Sequence, residues 1–162
     1  MTYLLLKSLH VFSVVLFLGN IITGIFWKVH ADLSGDLRAR AHALDGIIKS
    51  DRVFTVPGVL LIIVTGVALA LVGNLPILGT PWILWSIVLF GIAGAVFGAR
   101  VGPLQKKLLS NVRAGLTGSW NERDYQALSR SWQLWGIVAT GAPLLALFLM
   151  VLKPAGLPGI AP

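Results

Sequence analysis

Four long apolar stretches set the pattern of the chain, residues 3–27, 53–73, 82–99 and 132–152, and the polar residues collect between them. A helix needs roughly 20 apolar residues to cross the hydrocarbon of a bilayer. The pattern therefore predicts four transmembrane helices in a single membrane domain, residues 1–162. The first stretch exceeds the apolar core of about 7 to 15 residues in a cleaved signal peptide. No small-residue cleavage site follows it, which predicts a retained helix.

The connections carry a weaker periodicity. In DLSGDLRARAHALDGIIKSD, Leu33, Leu37, Ala41, Leu44 and Ile48 recur at helical spacing, while Arg38, His42, Asp45 and Lys49 stand three or four apart on another face. This predicts an amphipathic interfacial helix or an extension of the first span. PLQKKLLSNVRAGL repeats the pattern with Leu104, Leu108, Leu109, Val112 and Leu116. Ser119 and Glu122 then have the spacing of a capping box, so the fourth helix is expected to begin well before its apolar stretch. Only residues 73–80 and the tail 154–162 are expected to be irregular. The expected fold is all-α: an integral membrane four-helix bundle with amphipathic helical extensions on the cytoplasmic side.

Composition narrows the classes. Hydrophobic residues make up 56% and charged residues 12% of the chain, with a mean hydropathy of +0.85, against a charged share of about 25% in soluble domains. Cysteine is absent, which excludes disulfides, thiolate catalysis and thiolate metal sites. Eleven of the thirteen Lys and Arg lie between spans one and two or between spans three and four, and residues 74–81 carry none. By the positive-inside rule both termini face outward, N-out and C-out. The net charge of +7 then reads as a topology signal with some attraction to anionic headgroups; no basic patch with stacking aromatics points to nucleic acid.

Packing signals follow. Gly94, Gly98 and Gly102 are spaced by four and form a small-residue ridge for a close helix contact, either within the chain or with another copy or membrane partner. Pro57 falls in the first turns of span two, and Pro143 interrupts span four. Trp27, Trp82, Trp85, Trp132 and Trp135 lie near span ends, where indole suits the headgroup boundary.

All six acids lie in the charged connections, so no buried carboxylate is expected and proton coupling through a membrane acid is disfavoured. His30 and His42 read as solvated interfacial residues. His10 is different: seven residues from Tyr3, at about 1.5 Å each, put it roughly 10 Å inside the boundary, where an imidazole needs a partner. That partner is a neighbouring helix or a ligand. Lys7 lies one turn from His10, with a stem long enough to carry its charge to the headgroups. Asn20 lines up with Thr23, Gly24 and Trp27 as a second polar strip and reads as an interhelical contact.

These residues resemble a known family. Lys7-Ser-Leu-His10, Leu18-Gly-Asn20 with Trp27 seven residues on, Asp51-Arg-Val-Phe-Thr55-Val-Pro57-Gly58, Thr65-Gly66 and Met150-Val-Leu-Lys153-Pro154 make the chain similar, nearly end to end, to the bacterial predicted integral membrane proteins of domain of unknown function 2269. More distantly, the first helix is similar to those of CopD-type copper resistance proteins and HemJ-type protoporphyrinogen oxidases, which also open on Lys-x-x-His. The resemblance implies a multi-pass protein of the bacterial inner membrane. From the HemJ type it implies His10 as an axial metal ligand to haem b, and it matches Arg52 and Pro57 to the start of the second helix. Ser86, after Trp82 and Trp85, stands where HemJ-type enzymes hold a lysine, so oxidase chemistry is not implied.

For a haem held by His10, Lys7 is placed to pair with a propionate. His30 is twenty residues from His10, about 30 Å along one helix, and cannot share its iron. Met150, near the outer end of span four, is the candidate second ligand, the alternative being a vacant or water-filled position. Met1 and Met150 are the only methionines, so copper handling has little support. Two functions stay open: a haem-b-binding or redox-linked membrane protein, and a cofactor-free binding or assembly subunit whose partner docks on the glycine ridge or the basic helices. No residue is assigned a catalytic role.

The orientation is testable in this cysteine-free chain. Single cysteines at Gly79→Cys and Ser110→Cys should label from opposite sides of intact cells and inverted vesicles. Reaction of Gly79→Cys from the cytoplasmic side alone would reverse the orientation.

Overall fold

A computed structural model describes residues 1–154. It contains four long helices: α1 Thr2–Ser34, α2 Leu37–Val72, α3 Pro81–Leu116 and α4 Glu122–Leu152. No strand occurs among the described residues. Each helix holds an apolar window long enough to cross a bilayer, and the protein is an all-α, multi-pass membrane protein. The tail expected to be irregular lies, beyond Pro154, outside the described residues.

The helices are longer than their apolar stretches. At about 1.5 Å per residue, the 33 residues of α1 reach roughly 50 Å, against about 30 Å of hydrocarbon. The surplus emerges at one end, where α1 meets α2 and α3 meets α4, and most of the cations collect there. We call this the basic end. The amphipathic segment after span one belongs to neither of its expected forms: it is the first part of α2, continuous with the second span. Gly35, at φ +68°, ends α1 in the left-handed conformation that suits glycine, and Asp36 starts α2 by accepting from the Arg38 backbone N–H.

Proline explains the next departure. Pro57 does not open a helix but lies inside α2, and Pro103 lies inside α3. A proline within an α-helix lacks a donor and crowds the carbonyl four residues back. In both helices a π turn precedes the proline, Asp51–Thr55 in α2 and Phe97–Val101 in α3. The wider turns close through Val56 N–H to the Asp51 carbonyl and Gly102 N–H to the Phe97 carbonyl. One extra residue per turn gives each ring room while the helix continues.

The capping box at Ser119 is also corrected. α4 begins at Glu122, and its cap is Asn121, whose side-chain oxygen accepts from the Arg123 and Asp124 backbone N–H groups. Asn121 sits one position before the first helical residue, which is what capping requires; Ser119 is two residues too early.

α1 packs along the membrane part of α2, and α3 packs along α4. The two pairs join chiefly at the basic end, where the extensions of α2 and α3 meet. The buried core is there too, built from Leu44, Leu108, Leu109, Val112, Tyr125 and Trp132. Toward the other end, large apolar residues such as Leu4, Val15, Ile137 and Val151 are exposed, as a lipid-facing surface requires. Trp132, at the start of the fourth apolar stretch, is 5% exposed and packs into this core.

Small residues matter where α1 meets α2. A Cβ placed on Gly58 would lie 3.3 Å from Phe17 Cβ and 3.6 Å from its Cα, so the two backbones approach closely there. Gly94 and Gly98 have nothing within 4 Å of such a Cβ, and the ridge on α3 meets no helix of its own chain at these two positions.

Gly58→Leu should overpack the α1–α2 contact and cost about 1–3 kcal/mol in unfolding measured in detergent. Gly98→Leu should leave the monomer's stability unchanged within about 0.5 kcal/mol. Equal tolerance of both substitutions would place the close approach elsewhere.

Candidate functional site

Three polar clusters lie along the helix contacts. The first is centred on His10. Its Nδ1 is 2.8 Å from Thr65 Oγ1 on α2, and the Thr65 hydroxyl lies 2.5 Å from the Leu61 carbonyl oxygen. The hydroxyl has one proton and gives it to Leu61, so Thr65 Oγ1 accepts from His10 Nδ1–H. That assignment leaves the lone pair on Nε2. Gly66 lies against the ring: a Cβ there would be 3.3 Å from His10 Cε1. The Thr65-Gly66 pair thus has a physical role, one residue bonding the imidazole and the next making space for it.

The other residues singled out with His10 make no hydrogen bond to it among the described residues. Lys7 is exposed and has no ion pair or hydrogen bond among the described residues. Met150 is half-buried on α4. Ser86 is buried, donates to the Trp82 carbonyl at 2.7 Å and lies 3.3 Å from the Ala146 carbonyl across the α3–α4 contact. Among the described residues no group of three His, Asp or Glu is placed to hold a metal ion.

The second cluster overturns the expectation that no carboxylate is buried. Asp51, in the π turn of α2, is 8% exposed. Its Oδ1 accepts from Thr55 Oγ1 at 2.8 Å and Asn20 Nδ2 at 3.2 Å, and its Oδ2 accepts from Gln105 Nε2 at 3.0 Å. Asn20 also donates to Thr55 Oγ1 at 2.9 Å. Asn20 therefore makes the interhelical contact expected of it. Three helices supply the donors, α1, α2 and α3, and none of these donors is charged. Neutral donors thus reach both carboxyl oxygens, and none of these contacts is an ion pair.

The third cluster contains the most thoroughly buried cation. Lys28, counted from sequence among the connection charges, is 1% exposed. Its Nζ donates to Asp32 Oδ2 at 2.6 Å and to Ser129 Oγ, and it lies 5.2 Å from the centre of the Trp132 ring. Tyr125 donates its hydroxyl to Asp32. Burial and that carboxylate push the Tyr125 phenol, in the basic-end extension of α4, above its ordinary range. Arg40 adds contacts to the Asp32 carbonyl at 3.2 Å and Glu122 Oε2 at 3.3 Å, over the Tyr125 ring. The cluster ties α1 and the start of α2 to α4. Lys28 and Asp32 at i, i+4 were legible as a pair; their burial depends on residues about a hundred positions away.

Two open grooves mark the surface at this end. One, of about 580 Å³, runs between α1 and the extension of α2, lined by Asn20, Gly24, Trp27, His30, His42 and Gly46 among others. His30 and His42 are exposed along it, as expected of interfacial residues. The other, of about 400 Å³, lies between the extensions of α2 and α3 and is strongly basic. Neither groove borders His10.

With this geometry in view, one family matches. The chain belongs to the family described as predicted integral membrane protein, DUF2269, whose pattern covers residues 4–154. No curated protein and no solved structure matches it.

The Asp51 cluster makes a prediction about stability. Asp51→Ala strands the Asn20, Thr55 and Gln105 donors and should cost on the order of 3 kcal/mol in detergent unfolding. Asp51→Asn should cost less, because the Gln105 amide can turn its oxygen toward the new NH2 group. Equal, small losses for both would show that the carboxylate does not hold these helices.

Proposed function

We propose that this family member is a haem-b-binding, redox-linked protein of the bacterial inner membrane, with its basic end in the cytoplasm and both termini outside. The observation that carries the proposal is the state of His10. Thr65 accepts from Nδ1–H, the tautomer that leaves the lone pair on Nε2, and the Ile62 carbonyl is a further hydrogen-bonding neighbour of the ring. This is the donor chemistry of an axial histidine, whose second nitrogen is held by a hydrogen bond that sets tautomer and ring orientation. When bound, haem b supplies an iron that exchanges one electron, with a potential set by its axial ligands and surroundings.

The chain's own residues have distinct tasks on this reading. His10 binds the iron, Thr65 orients the imidazole, and Gly66 lets the ring lie against α2. Lys7, exposed one turn away and without a competing partner among the described residues, is the cation for a propionate. Met150 would offer a thioether as a second ligand. The hydrogen-bond support falls on His10, whose Nδ1 is held by Thr65.

A second reading rests on a different observation. Thr65 satisfies Nδ1 without any cofactor, and neither groove borders the ring. His10 is then a strut between α1 and α2, and the protein is a cofactor-free binding or assembly subunit. Gly94 and Gly98, open on α3, with Gly102 a turn beyond, would form its docking face for another copy or a membrane partner.

An absorption spectrum separates the two. Protein made with adequate haem should show a Soret band that sharpens and shifts on reduction. His10→Ala should lose it while still inserting, whereas His30→Ala and His42→Ala should keep it. Lys7→Ala should weaken haem binding by about 1.5–3 kcal/mol, the scale of one charge-assisted contact. A wild type that takes up no chromophore when haem is added, with His10→Ala merely less stable, would leave the second reading standing.

A further inference from the structure

The groove between the extensions of α2 and α3 holds more positive charge than the described residues neutralise. Lys49 and Arg52 face it from α2, Lys106 and Arg113 from α3, and Asp45 is the single carboxylate along it. Asp45 Oδ2 is 2.6 Å from Lys49 Nζ, and its Oδ1 is 3.1 Å from an Arg113 terminal nitrogen. The Lys49 hydrogen bond holds the Asp45 carboxyl, in the basic-end extension of α2, below its ordinary range, so it stays ionised and keeps the two cations drawn together across the groove. Arg52 and Lys106 have no ion pair or hydrogen bond among the described residues. Four cations against one carboxylate leave a surplus of three charges in about 400 Å³.

We propose that this groove binds the headgroup of an anionic phospholipid, one carrying two phosphates. Position selects a lipid over a free anion. Arg52 immediately precedes the apolar stretch of α2, which starts at residue 53, and Lys106 lies seven residues beyond Ala99, where the apolar stretch of α3 ends. Two helical turns are about 10 Å, just past a headgroup layer of roughly 5–8 Å, and the long Lys106 stem can carry its ammonium back into that layer. Ile48 and Leu109 add apolar lining suited to the glycerol backbone, while Ser110 adds a hydroxyl for a phosphate oxygen. A headgroup with one phosphate leaves two of the three surplus charges in place; one with two phosphates leaves a single one. Basic pockets between helices at the membrane surface bind such headgroups by the same charge complementarity. The site is independent of His10 and of any cofactor.

The test uses delipidated full-length protein in detergent, with binding of cardiolipin, phosphatidylglycerol and phosphatidylcholine followed by native mass spectrometry. Cardiolipin should bind tightest and phosphatidylcholine weakest, with binding falling as salt is raised. The double variant Arg52→Gln, Lys106→Gln should weaken cardiolipin binding roughly thirtyfold, about fivefold for each cation removed. Both side chains are exposed, and an unchanged melting temperature should confirm that the variant is folded. Lys107→Gln removes one charge from outside the groove and should change binding less than about twofold, against about fivefold for one cation inside it. Full cardiolipin binding by the double variant would overturn the site, as would equal retention of phosphatidylcholine. Phosphatidylglycerol binding as tightly as cardiolipin would overturn the two-phosphate assignment. Inorganic pyrophosphate competing at equal concentration would overturn the lipid as the source.

Discussion

Asp51 sets a condition that several helices meet together. A carboxyl group at 8% exposure has lost its hydration, which is costly unless protein donors replace the water. Here they come from Asn20 on α1, Thr55 on the same turn of α2 and Gln105 on α3. Satisfying one side chain therefore holds three helices in register at the level where the apolar stretches begin. The hydrophobic effect cannot do this inside lipid, because a leucine facing an acyl chain gains little by facing another leucine. Specific polar contacts and close backbone approach take over, which is why Asn20, His10 and Gly58 all fall on the α1–α2 contact.

The paired π turns belong to the same arrangement. Without them Pro57 and Pro103 would end or kink their helices at the membrane boundary, and the extensions could not run on from the spans. With them, α2 and α3 stay continuous and carry their amphipathic parts beyond the lipid, where a water-driven core of Leu44, Leu108 and Val112 can form. The molecule is therefore stabilised by different forces along its length. Sparse polar contacts act within the bilayer, and apolar burial acts at the basic end.

Charge at that end is divided between two tasks. Lys28 is enclosed by Asp32, Ser129, Tyr125 and Trp132, and its charge is used up in joining α1 to α4. Arg52 and Lys106, on α2 and α3, have no such partners among the described residues. A total of +7 says nothing about this division. Orientation by the positive-inside rule counts both kinds of cation equally, whereas ligand binding can draw only on the second.

Much of the fold was legible in the chain itself. The four spans, the amphipathic character of the segments around residues 33–48 and 103–116, and the need of His10 for a partner follow from hydropathy, period and depth, which are local properties. The resemblance carried by Thr65-Gly66 and Asp51 to Gly58 pointed to the right family, without revealing that Thr65 bonds His10 or that Asp51 is buried. Asp51 beside Arg52 looked like part of a solvated connection, and Lys28 looked like one more topology charge. Only the tertiary structure decided their burial, because Gln105 lies 54 positions from Asp51 and Ser129 lies 101 from Lys28. It also decided that Gly58 marks a close helix contact while the more regular Gly94 and Gly98 face open space. The physical reason is the same in each case. Spacing within a helix establishes which residues share a face, but the occupant of that face comes from another part of the chain.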